Sequence, residues 1–72
     1  MALAPNGKRI QELRYERGLT QMALAENADV DQGHISRIES GDRGATPTVL
    51  KRLADALGVT VADITTDAEA VA

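Results

Sequence analysis

Leu19–Gly41 reads LTQMALAENADVDQGHISRIESG, and the reading of this stretch decides the fold. Thr20 can cap a helix of about Gln21 to Asn27, because its hydroxyl can accept a free backbone N–H of the first turn. Leu24, Ala25 and Ala28 form the inner face of that helix, and the small alanines let another helix come close. A three-residue turn, Ala28-Asp29-Val30, follows. The middle residue of such a turn often needs positive φ, which Asp tolerates better than most non-glycine residues. Asp31 caps a second helix, about Gln32 to Ser40, with Ile35 and Ile38 facing inward. Gln32, Gly33, Ser36 and Arg37 fall on its opposite, exposed face. Gly41 ends it in the left-handed slot that glycine fills without steric cost.

Upstream, residues 1–5 read as a flexible arm of small residues without Lys or Arg. Asn6 is the expected cap of a helix over about Gly7 to Arg17, with Ile10, Leu13 and Arg14 on one face. Lys8 and Glu12 lie on the other side, four residues apart, and Gly18 stops the helix. Downstream, Asp42 to Ala45 is a loop, and Thr46-Pro47 starts a fourth helix with a cap and a proline at its first position. Val49, Leu50, Leu53, Ala54 and Leu57 repeat with a 3.6-residue period up to Gly58. A short fifth helix begins at Thr60, with Asp63 placed favourably in its first turn and Val59, Val61 and Ile64 as its apolar positions. The expected architecture is therefore an all-α, five-helix domain over residues 6–65, followed by an acidic, frayed tail over 66–72.

Composition narrows the function classes. Seventy-two residues make one small domain. The chain has no cysteine and a single histidine, His34, so a disulfide, a thiolate zinc site and a histidine metal cluster are excluded. Tyr15 is the only aromatic residue, so the core must be aliphatic, which suits packed helices. No apolar run approaches the roughly 20 residues needed to span a bilayer, and no signal peptide is recognisable. A cytoplasmic protein without cofactors is expected. The net charge of −3 comes from Asp63, Asp67 and Glu69, which leaves residues 1–62 neutral. No nucleophile–base pair or phosphate-binding loop points to an enzyme.

Leu19-Thr20-Gln21-Met22-Ala23-Leu24-Ala25, then after nine residues Ile35-Ser36-Arg37-Ile38-Glu39-Ser40-Gly41, resembles the lambda-repressor-like helix-turn-helix domain of the Cro/cI type, the xenobiotic-response-element family. Ile10-Gln11-Glu12-Leu13-Arg14 and Leu53-Ala54-Asp55-Ala56-Leu57-Gly58-Val59 agree with the flanking helices of that family. The resemblance implies a sequence-specific regulator of transcription, a repressor, that lays its third helix in the major groove of double-stranded DNA while the second crosses the backbone. It implies that Gln32 reads a base, with geometry suited to adenine, and that Arg37 reads another, with geometry suited to guanine. Gln21 is implied to hold a phosphate or brace the reader at Gln32. Ser40, Arg43 and the amides opening the fourth helix are implied to hold phosphates. Gly33 sits where relatives read with a side chain, Ser36 shares the exposed face, and His34 is either a surface residue or a phosphate contact. Arg14 and Glu39 are implied to form a structural ion pair. A homodimer is implied, with Val59, Val61 and Ile64 as the contact.

Other readings stand beside these. Arg37 could instead pair with Glu26, Gln32 could be a solvated glutamine, and Gln21 a plain helix-start residue. Met22 and Tyr15 are expected to pack, and Lys51 and Arg52 to form a solvated face. Asp29 stands where the family commonly has glycine, and Ala45 where proline is common. Asp29 and Asp31 place two carboxylates near the start of the reading helix, and Gly33 has no side chain to read with. These departures motivate an alternative function: a protein-binding module of the same fold, such as an antitoxin holding a toxin partner.

Overall fold

Four polar caps set where the helices start. The side chains of Asn6, Thr20, Asp31 and Thr46 accept the backbone N–H of Arg9 at 3.1 Å, Ala23 at 3.0 Å, His34 at 3.3 Å and Val49 at 3.2 Å. In the computed structural model, which describes residues 3–67, the resulting helices are α1 (Gly7–Glu16), α2 (Gln21–Ala28), α3 (Gln32–Ser40) and α4 (Pro47–Leu57). Gly18, Gly41 and Gly58 leave α1, α3 and α4 with positive φ, as the punctuation of the sequence requires. Asp29 takes the same role after α2 with φ 55°, the one non-glycine residue described in that region.

The fifth helix is not an α-helix. Val61–Ile64 is a single 3-10 turn, so the described residues form four α-helices where five were expected. Thr60 caps the turn with Asp63, whose Oδ2 accepts the Thr60 backbone N–H at 3.1 Å. The turn cannot propagate because Thr65 and Thr66 are β-branched and continue in extended conformation. They belong to β2 (Thr65–Asp67), which pairs antiparallel with β1 (Leu3–Pro5) in the register Leu3↔Asp67, Ala4↔Thr66, Pro5↔Thr65. Residues 3–5, expected as a free arm, and Thr66 and Asp67, expected to fray, thus form a two-stranded ribbon. Asn6 continues the tie by donating its backbone N–H to Ile64 O at 2.8 Å. The remainder of the expected tail, 68–72, lies outside the described residues.

One aliphatic core holds the helices together. It contains Ile10 and Leu13 of α1, Leu24, Ala25 and Ala28 of α2, Ile35 and Ile38 of α3, and Leu50, Leu53, Ala54 and Leu57 of α4. Ile64 closes it with no exposed surface. It was expected on a dimer contact, but its packing against α1 and α4 withdraws it from the surface. Tyr15 and Met22, expected to pack, are 63% and 57% exposed. The aliphatic core fills without them, because both lie off the inner faces of their helices. Gly7 marks a close helix approach: a Cβ there would overlap the carbonyl oxygen of Ile38 and lie 2.7 Å from that of Glu39. The start of α1 therefore rests directly on the backbone at the end of α3.

Candidate nucleic-acid interface

The inner and outer sides of α3 are cleanly separated. Ile35 and Ile38 are buried, while Gln32, Gly33, Ser36 and Arg37 are exposed on the other side. The side chains of Gln32 and Arg37 make no hydrogen bond or ion pair among the described residues. Arg37 does not pair with Glu26, which leaves its guanidinium available. At Gly33 an added Cβ would lie 3.0 Å from Asp31 Oδ2, the oxygen that caps α3, and would press on that cap.

Two other expected contact residues are held within the protein. Ser40 donates its hydroxyl to Arg37 O at 3.0 Å and Asp42 Oδ2 at 3.1 Å, two acceptors sharing one proton. His34 Nε2 lies 3.2 Å from Gly44 O and links α3 to the loop before α4. Arg43 is exposed in that loop, within three residues of the Thr46 cap. Pro47 has no N–H to offer and the Val49 N–H is taken by Thr46, which leaves Thr48 as the free amide of that first turn.

Gln21 behaves differently from the expected pattern. Its Nε2 donates to Glu39 Oε1 at 3.1 Å, so the start of α2 is fastened to the end of α3. Glu39 in turn accepts Arg14 Nε at 2.8 Å on Oε2 and Arg14 Nη2 at 3.0 Å on Oε1. Arg14 spends a third donor on Leu19 O at 2.9 Å and lies 4.6 Å from the centroid of the Tyr15 ring. The ion-pair side chains are 7% and 3% exposed. The hydrogen bond from Arg14 to Glu39 raises the guanidinium pKa above its ordinary value, against the opposing effect of burial. One buried carboxylate thereby joins three segments: α1, the entry to α2, and α3.

The turn between α2 and α3 has a support that no sequence pattern announces. Arg52 of α4, expected to be solvated, donates to Asp29 O at 3.2 Å and lies 4.0 Å from its carboxylate. The two residues are 23 positions apart, beyond the reach of local periodicity. Lys51 does stay on the surface, where it pairs with Asp55 at 2.8 Å one helical turn later. On α1 it is Arg9 that faces both Glu12 and Glu16, each at 3.7 Å. Val59 and Val61, the other two residues of the expected dimer contact, are half-buried.

The comparisons with known proteins agree with this geometry. A family model described as "Helix-turn-helix domain" matches residues 7–66. The HTH-type transcriptional regulator PrpR of Mycobacterium tuberculosis is 34% identical over 65 residues, covering 90% of this chain and 13% of its own. The chain spans only 13% and 11% of the first curated regulators it matches. The restriction-modification controller protein C.AhdI from Aeromonas hydrophila superposes with a TM-score of 0.77 at 32% identity, over 79% of this chain and 86% of its own. The master regulator for biofilm formation SinR, solved in complex with DNA, superposes with a TM-score of 0.75 at 32% identity, over 78% and 90% of the two chains. With the family model covering nearly the whole described chain and these controllers superposing on it, the chain belongs to the helix-turn-helix domain family, of the lambda-repressor-like type.

Proposed function

We propose that this chain binds double-stranded DNA sequence-specifically and represses transcription, with α3 in the major groove and α2 across the backbone. The observation that carries the reading is the open face of α3, where Gln32 and Arg37 project side chains without partners among the described residues. Gln32 suits the N6 and N7 edge of adenine, and Arg37 the O6 and N7 edge of guanine. Gln21, Arg43, Ser40 and His34 lie toward the phosphates, with Ser36 beside the readers and Gly33 allowing close backbone approach. Further support is the similarity to SinR, whose structure contains DNA. The relatives above are each named for regulation, so the protein-holding alternative is not carried further.

Binding is by a homodimer on a two-fold site, with the half-buried Val59 and Val61 as the contact, in the cytoplasm at the nucleoid. Selection of sites from random duplex DNA tests the reading. A two-fold sequence should be enriched, and Arg37→Ala and Gln32→Ala should each relax specificity at particular bases at a cost of about 1–3 kcal/mol. No enriched sequence at moderate salt would sink it. The salt dependence should be shallow, because few cations stand near the face to displace counterions. Val61→Asp should lower dimer mass and DNA affinity together; unchanged sedimentation rejects that contact.

A further inference from the structure

The exposed start of α2 is chemically continuous with the buried ion pair. Glu39 Oε1 receives both Gln21 Nε2 at 3.1 Å and Arg14 Nη2 at 3.0 Å. A carboxylate paired with a guanidinium can only accept hydrogen bonds, so the orientation of the Gln21 amide is decided by chemistry. Its nitrogen must face Glu39, and its oxygen is turned away. The Glu39 side chain is 3% exposed and cannot itself reach a ligand. Gln21 itself is only half-buried.

We propose that Glu39 is a positioning residue for DNA binding: by holding Gln21 Nε2 it determines what the start of α2 presents, namely one remaining N–H and the amide oxygen. The inference rests on the DNA reading above. The remaining N–H suits a phosphate oxygen. The oxygen suits only a donor, such as an exocyclic amine of adenine or cytosine or the side-chain amide of a neighbouring residue. Without Glu39 the amide turns freely, and its ordering must be supplied at the moment of binding. The Arg14–Glu39 pair then carries part of the DNA affinity besides holding helices together.

Two measurements on the full chain test this. In the free wild-type protein, the Gln21 side-chain amide protons should exchange with water more slowly than those of the unpartnered Gln32. Equal exchange overturns the proposal without any variant. The second measurement compares Gln21→Ala in the wild type and in Arg14→Met/Glu39→Leu, which removes the pair while filling its space with apolar atoms. Binding of the selected duplex should fall about tenfold in the first background and less than about twofold in the second. Equal losses in both overturn the positioning role alone. A wild type with no affinity for any duplex overturns the DNA reading, and the coupling falls with it.

Discussion

Arg14 and Glu39, 25 residues apart, meet side by side through two hydrogen bonds of 2.8 Å and 3.0 Å with almost no exposed surface. Removing one partner leaves the other charge buried and unpaired. Arg14→Ala or Glu39→Ala should each destabilise the domain by about 3–5 kcal/mol, read from urea unfolding. For a chain this small that is most of its stability. Arg14→Met with Glu39→Leu should cost much less than either single change. If the double variant is the least stable of the three, the pair is worth more than the desolvation it requires.

Gly7 offers a contrast between local propensity and packing. Alanine is the better helix former, and by propensity alone Gly7→Ala should stabilise α1. The added methyl would instead meet the backbone oxygens of Ile38 and Glu39, which cannot swing aside. Gly7→Ala should therefore lower stability by about 1–3 kcal/mol. Gly44→Ala is the control: nothing lies within 4 Å of its added Cβ. That change should stay within about 0.5 kcal/mol. A stabilised Gly7→Ala in thermal melts would contradict the observed seat of α1 on α3.

Asp29 holds a left-handed conformation with φ 55°. A β-branched residue there meets the full steric penalty, so Asp29→Val should destabilise by about 1–2 kcal/mol. Asp29→Gly relieves the same strain but adds flexibility to the unfolded chain, and should remain within about 1 kcal/mol of wild type. The glycine variant also removes a carboxylate near the start of α3. Its affinity for the selected duplex should rise, with the gain shrinking as salt is added.

Acid should loosen the 3-10 turn. The backbone N–H of Thr60, and secondly its side chain, hold the Asp63 carboxyl below its ordinary 3.8. A lowered folded-state value means that the ionised form contributes stability above the unfolded-state pKa. That contribution is lost as pH falls through the lower, folded-state value. The difference in melting temperature between wild type and Asp63→Ala should be present at neutral pH and disappear in strong acid. A difference that persists unchanged there would show that the charge is not the source. The carboxyl resonance of Asp63 should titrate below the ordinary 3.8.

How much of this was legible in the sequence follows from the range of each interaction. The caps at Asn6, Thr20, Asp31 and Thr46 act within three residues, so the helix starts could be read directly. The positive φ at Asp29 and the ends at Gly18, Gly41 and Gly58 are likewise local. The inner faces followed from periodicity, and the Arg14–Glu39 pair from family resemblance. What escaped was non-local or marginal. The ribbon pairs residues 60 to 64 positions apart, and neither three-residue strand has enough pattern to announce itself. Ile64 was placed correctly as apolar, but apolar character alone does not separate a core residue from a contact residue. Gln21 was assigned by family resemblance to a phosphate or to bracing Gln32, whereas its partner within the protein, Glu39, is 18 residues away. On α3, Gln32 and Arg37 were assigned to the exposed face by helical geometry, and that is where they lie.

The pairing of β1 with β2 sets Leu3 opposite Asp67, on adjacent strands of one ribbon. A short engineered turn between those positions would make the backbone of 3–67 a closed circuit. The circuit could then be cut in the exposed loop at Asp42–Gly44, producing a circular permutant with α4 first and α3 last. In that permutant α3 would end beside a chain terminus while its core residues kept their neighbours. α3 could thus be separated by design from the covalent continuity that now links it to α4.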